Sequence, residues 1–346
     1  MAFGLDIPLG GATAAATRAP AFDVAIGSGA WADHVVSITV EAGIAPAVGA
    51  AEIVFGAGEG APEPAVGDSG SVALGYADAS TETVFTGTVA SVERTLAGAT
   101  RLVATDGGAA LAALRVNQSY EQQAAGDVVT DLAGRAGVST GSVDQGSDLA
   151  HHVVDDGRSA WTHIGTLAAR CGFVAYVAAD GALAFGPYAQ GAPALTLTCG
   201  EDVLALDAGD ASAAAGTVTA IGEGAAGAEG QAAWSWLLKD PAAVTSSAGS
   251  GDPERLLADG SLRSAAAAQA AATGLLDAGA LAASTARALV PGAPAAVVGG
   301  AVEVAGAPAG ALDGTWLVRG VRHAYSKRRG FTTLLLLARA GGGSLL

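Results

Sequence analysis

Gly67-Asp68-Ser69-Gly70 is the first segment whose residue types and spacing could do chemistry, because it frames a serine between glycines beside a carboxylate. A serine nucleophile needs an imidazole to take its proton and a carboxylate to orient that imidazole. His34 is the one histidine ahead of Ser69, and it comes too soon for a base delivered from a long preceding stretch of barrel. A turn between strands accounts for the segment on its own. His151-His152 followed by Asp155-Asp156 has the composition of a metal cluster. Adjacent residues on a strand point to opposite faces, so the two imidazoles are not set to share an ion, no second Cys/His group completes the set, and the segment is read as a solvated loop. Cys171 has His163 eight residues before it, two turns away on one helix, which is too far for a direct hydrogen bond. Gly222-Glu223-Gly224-Ala225-Ala226-Gly227 matches the spacing of a dinucleotide loop, but a Gly/Ala-rich loop follows it instead of a βαβ unit. A carboxylate pair of the glycosidase kind has many candidate Asp and Glu residues, mostly in turns and caps. The aromatics that sugar grooves favour supply only 5% of the chain. The sequence therefore yields no catalytic, cofactor-binding or metal-ligating residue, and the chain is read as a non-enzyme without cofactors.

The chain as a whole narrows the remaining classes. With 346 residues, 51% hydrophobic and 14% charged, it can bury several cores and is not a disordered polymer. The formal net charge of −16 repels phosphate backbones, so no nucleic-acid surface is expected. Lys327-Arg328-Arg329 is the one basic cluster and reads as a solvated loop tip. Cys171 and Cys199 are read as small buried thiols in a reducing compartment. The start of the chain has no basic-then-apolar signal, and the Ala-rich stretch 265–290 is interrupted by Gln269, Asp277 and Arg287. The expectation is a protein made in the cytoplasm with no membrane insertion.

Elements that would position any site fall in three groups. Short strands with regular turns fill the first third: Val35–Val40, Ser71–Tyr76, Thr83–Arg94 and Arg101–Thr105. The middle, from about Gly107 to Pro187, is a small α+β unit. Asp127 is read as the N-cap of a helix closed by Gly137, and Ser159 opens a helix closed by Gly172. A hairpin follows at Asp180-Gly181. The last part returns to strands at Leu195–Thr198, Val203–Leu206, Thr217–Ile221, Ala301–Val304, Gly314–Val321 and Phe331–Ala338. Between them lie a loop-rich region from Gly222 to Gly260, with Trp234 and Trp236, and helices expected over 262–276 and 280–289. There is no short-period repeat, only a coarse echo of β-rich parts at the two ends.

Taken in order, these segments resemble the late control gene D family of phage tail hubs, which includes hubs of contractile injection systems and the N-terminal part of type VI secretion spike proteins. The resemblance is carried by Gly67-Asp68, Val72–Tyr76, Val84–Val89, Val103–Asp106, Leu111 onward to Asn117–Tyr120, and the helix Asp127–Ala136 with Gly137-Val138. It continues through Trp161–Gly172 with Phe173–Tyr176, Gly181–Gly186, Leu312–Val318, Val321–Ser326 and Gly330–Leu334.

The resemblance implies a mainly β fold with an α+β insert: two β-barrel-like tube domains and a small helix-containing domain, forming a pseudo-hexameric ring as a homotrimer. On that pattern residues 1–106 are the first tube domain and 107–190 the α+β domain. Residues 191–340 are the second tube domain, with a loop/helix insertion at about 222–290, and 341–346 a flexible tail. The implied function is a structural baseplate hub joining a hexameric inner tube to a trimeric spike. Its partners would be the inner tube protein, a separate spike protein and other baseplate subunits within an injection particle or virion. The spike is expected on another polypeptide because the chain stops soon after Arg339. A tail-associated peptidoglycan-degrading enzyme and a carbohydrate-binding or adhesive module are the competing classes.

Overall fold

A computed structural model describes residues 18–31, 33–188, 192–222, 244–310 and 312–339. The first strands are β1 (Pro20–Ile26), β2 (Gly29–Ala30), β3 (Val35–Gly43), β4 (Ala50–Phe55), β5 (Ser69–Tyr76), β6 (Glu82–Arg94) and β7 (Thr100–Thr105). Alternation fixes their faces: on β4 Ala51, Ile53 and Phe55 are buried while Glu52 and Val54 face outward. Together with Val35, Ile38, Val40, Val72, Leu74 and Leu102 they make one core. Each such side chain, fully removed from water, contributes roughly 1.5–3 kcal/mol.

The middle of the chain contributes α1 (Gly107–Ala113), β8 (Gln118–Ala124), α2 (Ala125–Ala136), β9 (Thr140–Val143), β10 (Asp148–Val154), α3 (Ala160–Cys171), β11 (Val174–Val177) and β12 (Leu183–Gly186). Its own core gathers Leu111, Val128, Val129, Leu132, Trp161, Ile164, Leu167, Leu183 and Phe185. Ser159 caps α3 as expected, its Oγ accepting from the Thr162 N–H at 3.2 Å. Gly137 and Gly172 close their helices in the left-handed region, at φ 70 and 69. Asp127 is not the N-cap of α2. The helix starts two residues earlier, and the Asp127 carboxylate reaches back to accept from the Ala124 N–H at 3.2 Å. Asp127 is the third helical residue, where a carboxylate reaches back to the cap instead of being the cap.

The last part holds β13 (Leu195–Thr198), β14 (Ala205–Asp210), β15 (Thr217–Ile221), β16 (Thr245–Gly249), β17 (Glu254–Ala258), α4 (Ala265–Ala283), β18 (Ser284–Pro291), β19 (Ala301–Ala305), β20 (Gly314–Ser326) and β21 (Gly330–Arg339). Three sequence expectations change here. The strand expected at Val203–Leu206 lies further on, at Ala205–Asp210. The second helix expected over 280–289 is the end of α4 followed by β18, whose edges are both taken, by β14 and by β21. Ladder pairing on two sides overrides the Ala-rich local preference for helix. Within the region read as loop, β16 and β17 flank β15 in a small sheet covered by α4. Trp234 and Trp236 lie outside the described residues.

Gly274 sets how closely α4 approaches α3. A Cβ there would stand 2.6 Å from both the Ala169 carbonyl and the Gly172 amide nitrogen. Gly274→Val is therefore expected to push the helices apart and cost about 1–3 kcal/mol as overpacking. An unchanged denaturant midpoint would contradict this.

One sheet of 13 strands runs through both β-rich parts. Its path is β14-β18-β21-β20-β3-β4-β7-β6-β5-β1-β2, with β19 and then β13 branching from β20. The expected domains are barrel-like, and among the described residues no closed barrel is found: the path ends at β14 and at β2. The order β3-β4-β7-β6-β5 in the first part recurs as β14-β18-β21-β20-β19 in the last, with the strands in the same chain sequence. A sixth strand flanks each set, β1 antiparallel to β5 and β13 parallel to β19. The ladder irregularity between Val89 and Ser91 on β6 has its counterpart between Val318 and Gly320 on β20. The coarse echo in the sequence is a repeated five-strand unit.

Candidate functional site

The structure does not bring the sequence candidates together as chemistry. Ser69 sits on β5 opposite Thr88, and the preceding turn is tied by Asp68, whose carboxylate accepts from the Ala65 N–H at 2.9 Å. The His34 ring lies beside Gly58, and among the described residues no hydrogen bond links it to Ser69. His151 and His152 occupy successive positions of β10, opposite Glu121 and Tyr120, so one ring is half-exposed and the other buried. His163 turns toward Asp155 and donates from Nε2 to its carbonyl at 3.0 Å. Cys171 turns elsewhere, its Sγ accepting from the Ser147 N–H at 3.4 Å. Cys199 is also a free thiol. Among the described residues no group of three or more His, Cys, Asp or Glu is placed to hold a metal ion. Of the Gly222–Gly227 segment only Gly222 is described, at the end of β15. Lys327-Arg328-Arg329 forms the exposed β20–β21 turn, where Lys327 Nζ donates to the Asp33 carbonyl at 3.3 Å. None of the described helices is long and apolar enough to cross a membrane.

What the fold does build is a continuous sheet face with two edges that no strand among the described residues pairs. Eight strands, β14-β18-β21-β20-β3-β4-β7-β6, are joined by strictly antiparallel ladders. The outward face carries ion pairs from strand to strand. Arg322 on β20 meets Glu41 on β3 at 3.1 Å, and Arg101 on β7 meets Glu52 on β4 at 2.7 Å and Glu93 on β6 at 3.5 Å. The Arg101 hydrogen bond holds the Glu52 carboxyl below its usual range. Such half-exposed pairs add little stability, but they settle which charges the face shows. Between the two β-rich parts this face sinks into a groove of about 650 Å³ lined by Ile44, Val48, Arg287, Arg319, Arg322 and Leu336.

At one end of the eight strands, among the described residues, β14 pairs only with β18. At the other end β6 pairs with β5 as far as Thr88, Val89 exchanges backbone hydrogen bonds with Asp68 and Gly67, and among the described residues Ala90–Arg94 are laddered only to β7. The junction that joins the two halves inside the chain is formed by the equivalent strands: Gly320–Ser326 of β20 pair with Ser37–Gly43 of β3. Beneath it His323 is buried, its Nδ1 2.9 Å from the Thr333 hydroxyl, which also accepts from the Ala293 N–H at 2.9 Å. Sequence reasoning could not find these edges, because a free edge is defined by which strands are absent beside it.

The fold is that of phage tail proteins and their type VI secretion counterparts, as the resemblance to the tail hub family implied. The 43 kDa tail protein of prophage MuSo2 from Shewanella oneidensis is similar with a TM-score of 0.70 and 13% identity, over 93% of this chain and 99% of that one. The tail protein from Neisseria meningitidis MC58 gives 0.71 and 16%, over 93% and 97%. An E. coli protein, described as a component of the type VI secretion system similar to T4 bacteriophage tail proteins gp27 and gp5, gives 0.62 and 12%, over 92% and 77%. No curated protein matches by sequence. The family model described as the Alg8 N-terminal domain matches residues 65–327, well over half of the chain, and the chain belongs to that family. That description names a domain and no activity.

Proposed function

We propose that this chain is the structural hub of a contractile injection system or phage tail, with no catalytic role. In this reading three copies associate, each contributing two tube-like halves. The resulting pseudo-hexameric ring continues a hexameric inner tube and seats on a trimeric spike. The observation that carries it is the five-strand unit occurring twice in one chain, side by side in one sheet. Two equivalent units per copy are what a three-fold assembly needs to meet a six-fold partner. The likeness to tail proteins and to a type VI secretion component supports the same role.

The division that goes with this proposal is residues 1–106 and 191–340 as the two tube-like halves and 107–190 as the α+β unit packed beside them. The insertion in the second half, expected at about 222–290, ends before β18, because that strand belongs to the repeated unit. Unpaired strand edges otherwise invite aggregation, and assembly would remove them. The test is co-expression with inner tube and spike proteins found in the genome that encodes the chain. The expected result is capture of both proteins and ring-shaped particles by electron microscopy. Failure to capture either, with no ring, would overturn the proposal.

A further inference from the structure

We infer that the two free edges of the eight-stranded face are partners for each other in adjacent copies, with a register that the chain itself supplies. This rests on the ring reading above and adds the contacting residues. The repeated unit makes β6 equivalent to β20, and β14 equivalent to β3. The bond that β20 and β3 make inside one chain is then available to β6 and β14 between two chains.

The equivalence fixes residues. Val89 and Ser91 flank the irregularity facing Ala104 and Val103 of β7, as Val318 and Gly320 do facing Leu337 and Leu336 of β21. Glu93 therefore stands where Arg322 stands. Following the ladders from β21 through β18 to β14, Gly209 stands where Glu41 stands. Since Arg322 pairs directly with Glu41 inside the chain, Glu93 of one copy should face Gly209 of the next. By the same count Arg94 faces Ala208.

Four features agree with this pairing. Eight alternating strands leave β14 and β6 running in opposite senses, so the new pairing continues the antiparallel pattern. Glu93 meets a glycine, so no two carboxylates are set directly opposite one another. Arg94 and Asp210 come onto the same face as diagonal neighbours, where opposite charges attract. Neither edge carries a proline or lysine that would block pairing. Three copies joined this way close a sheet with no free edge left among these strands.

The experiment is disulfide trapping in the intact chain. Directly opposite residues have Cα atoms about 4.5–5.5 Å apart, within disulfide reach. The double variant E93C with G209C should form covalent dimers and trimers under mild oxidation, at least ten-fold more than E93C with D210C, which is shifted by one residue and points to the other face. Each single variant and the native chain, with Cys171 and Cys199 in place, should stay at background. If mass measurement of the unoxidised variants gives a trimer but the shifted pair traps as well, or neither traps, the register is wrong and the ring reading stands. If the protein is monomeric and nothing traps, both fall.

Discussion

Trp161→Ala is expected to lower the stability of the chain by about 3–5 kcal/mol, the range for truncating a large buried aromatic. Trp161 is 1% exposed and sits in the core of the α+β unit, between α1, α2 and α3. Its indole Nε1 donates to the Ala47 carbonyl at 3.0 Å, in the turn between β3 and β4. The residue therefore does two things: it fills the helical core and ties that core to the first β-rich part. Ala45 and Val48 of the same turn pack against the helical core beside it. Trp161→Phe keeps most of the ring but leaves the Ala47 carbonyl without its donor, and should cost about 1–3 kcal/mol. Urea denaturation of the three proteins checks this ordering. A Trp161→Ala midpoint within error of the parent would show that the helical unit is not coupled to the sheet as described.

Acid is expected to weaken the fold by about 3 kcal/mol between pH 7 and pH 4.5, well before most paired carboxylates are protonated. Burial pushes both His152 and His323 down to about 4, from an ordinary value of 6.5. A folded pKa below the unfolded one means the unfolded chain takes the proton first. Stability from these rings is complete above 6.5 and is lost as pH falls toward 4. Asp106 works the other way. Its carboxylate caps α1, accepting from Gly108 at 2.9 Å and Gly49 at 3.0 Å, but burial raises it to about 6. Its ionisation is a cost that falls away as pH drops through 6, and it offsets part of the histidine loss. Two histidines outweigh one aspartate over this window. His152 offers the sharper test because its Nε2 is buried without a hydrogen-bond partner among the described residues. His152→Leu should hold or raise stability at pH 7 and remove roughly 2.5 kcal/mol of the acid loss. A His152→Leu protein with the parental acid dependence would contradict the assignment.

Much of this architecture was legible in the sequence, and the parts that were not share a cause. Thr83–Arg94 reads as a strand because apolar and polar residues alternate along it, and β6 spans Glu82–Arg94. Ser159 and Gly172 bracket α3 because capping is local chemistry. The segment 280–289 misleads because Ala favours helix while β18 is held by neighbours on both edges, from residues some 80 and 50 positions away in the chain. Gly, Ser and Glu in 245–258 read as loop for the same reason, since β15 supplies the pairing from outside. The α+β unit was recognisable from its own residues, whereas the repeat of the five-strand order was not. The two sets share topology and a ladder irregularity, but β6 carries Glu93 and Arg94 where β20 carries Arg322 and His323. Repeated backbone geometry survives changes of side chain that erase the repeat from the sequence.

Among the site candidates, Ser69 follows a turn as its spacing suggested, whereas His151 and His152, read as a solvated loop, lie on β10 with His152 buried, because Tyr120 and Glu121 of β8 supply the pairing from outside. The assembly edges needed the topology, because an edge is a property of the whole sheet.

The central claim is that two equivalent halves in one chain make a ring of three copies. Light scattering coupled to size exclusion, run on the native chain across a concentration series, tests it most directly. The account predicts a species of three times the chain mass that persists on dilution, with the monomer a minor component. A single monomeric species at every concentration, or a stable dimer, would contradict it.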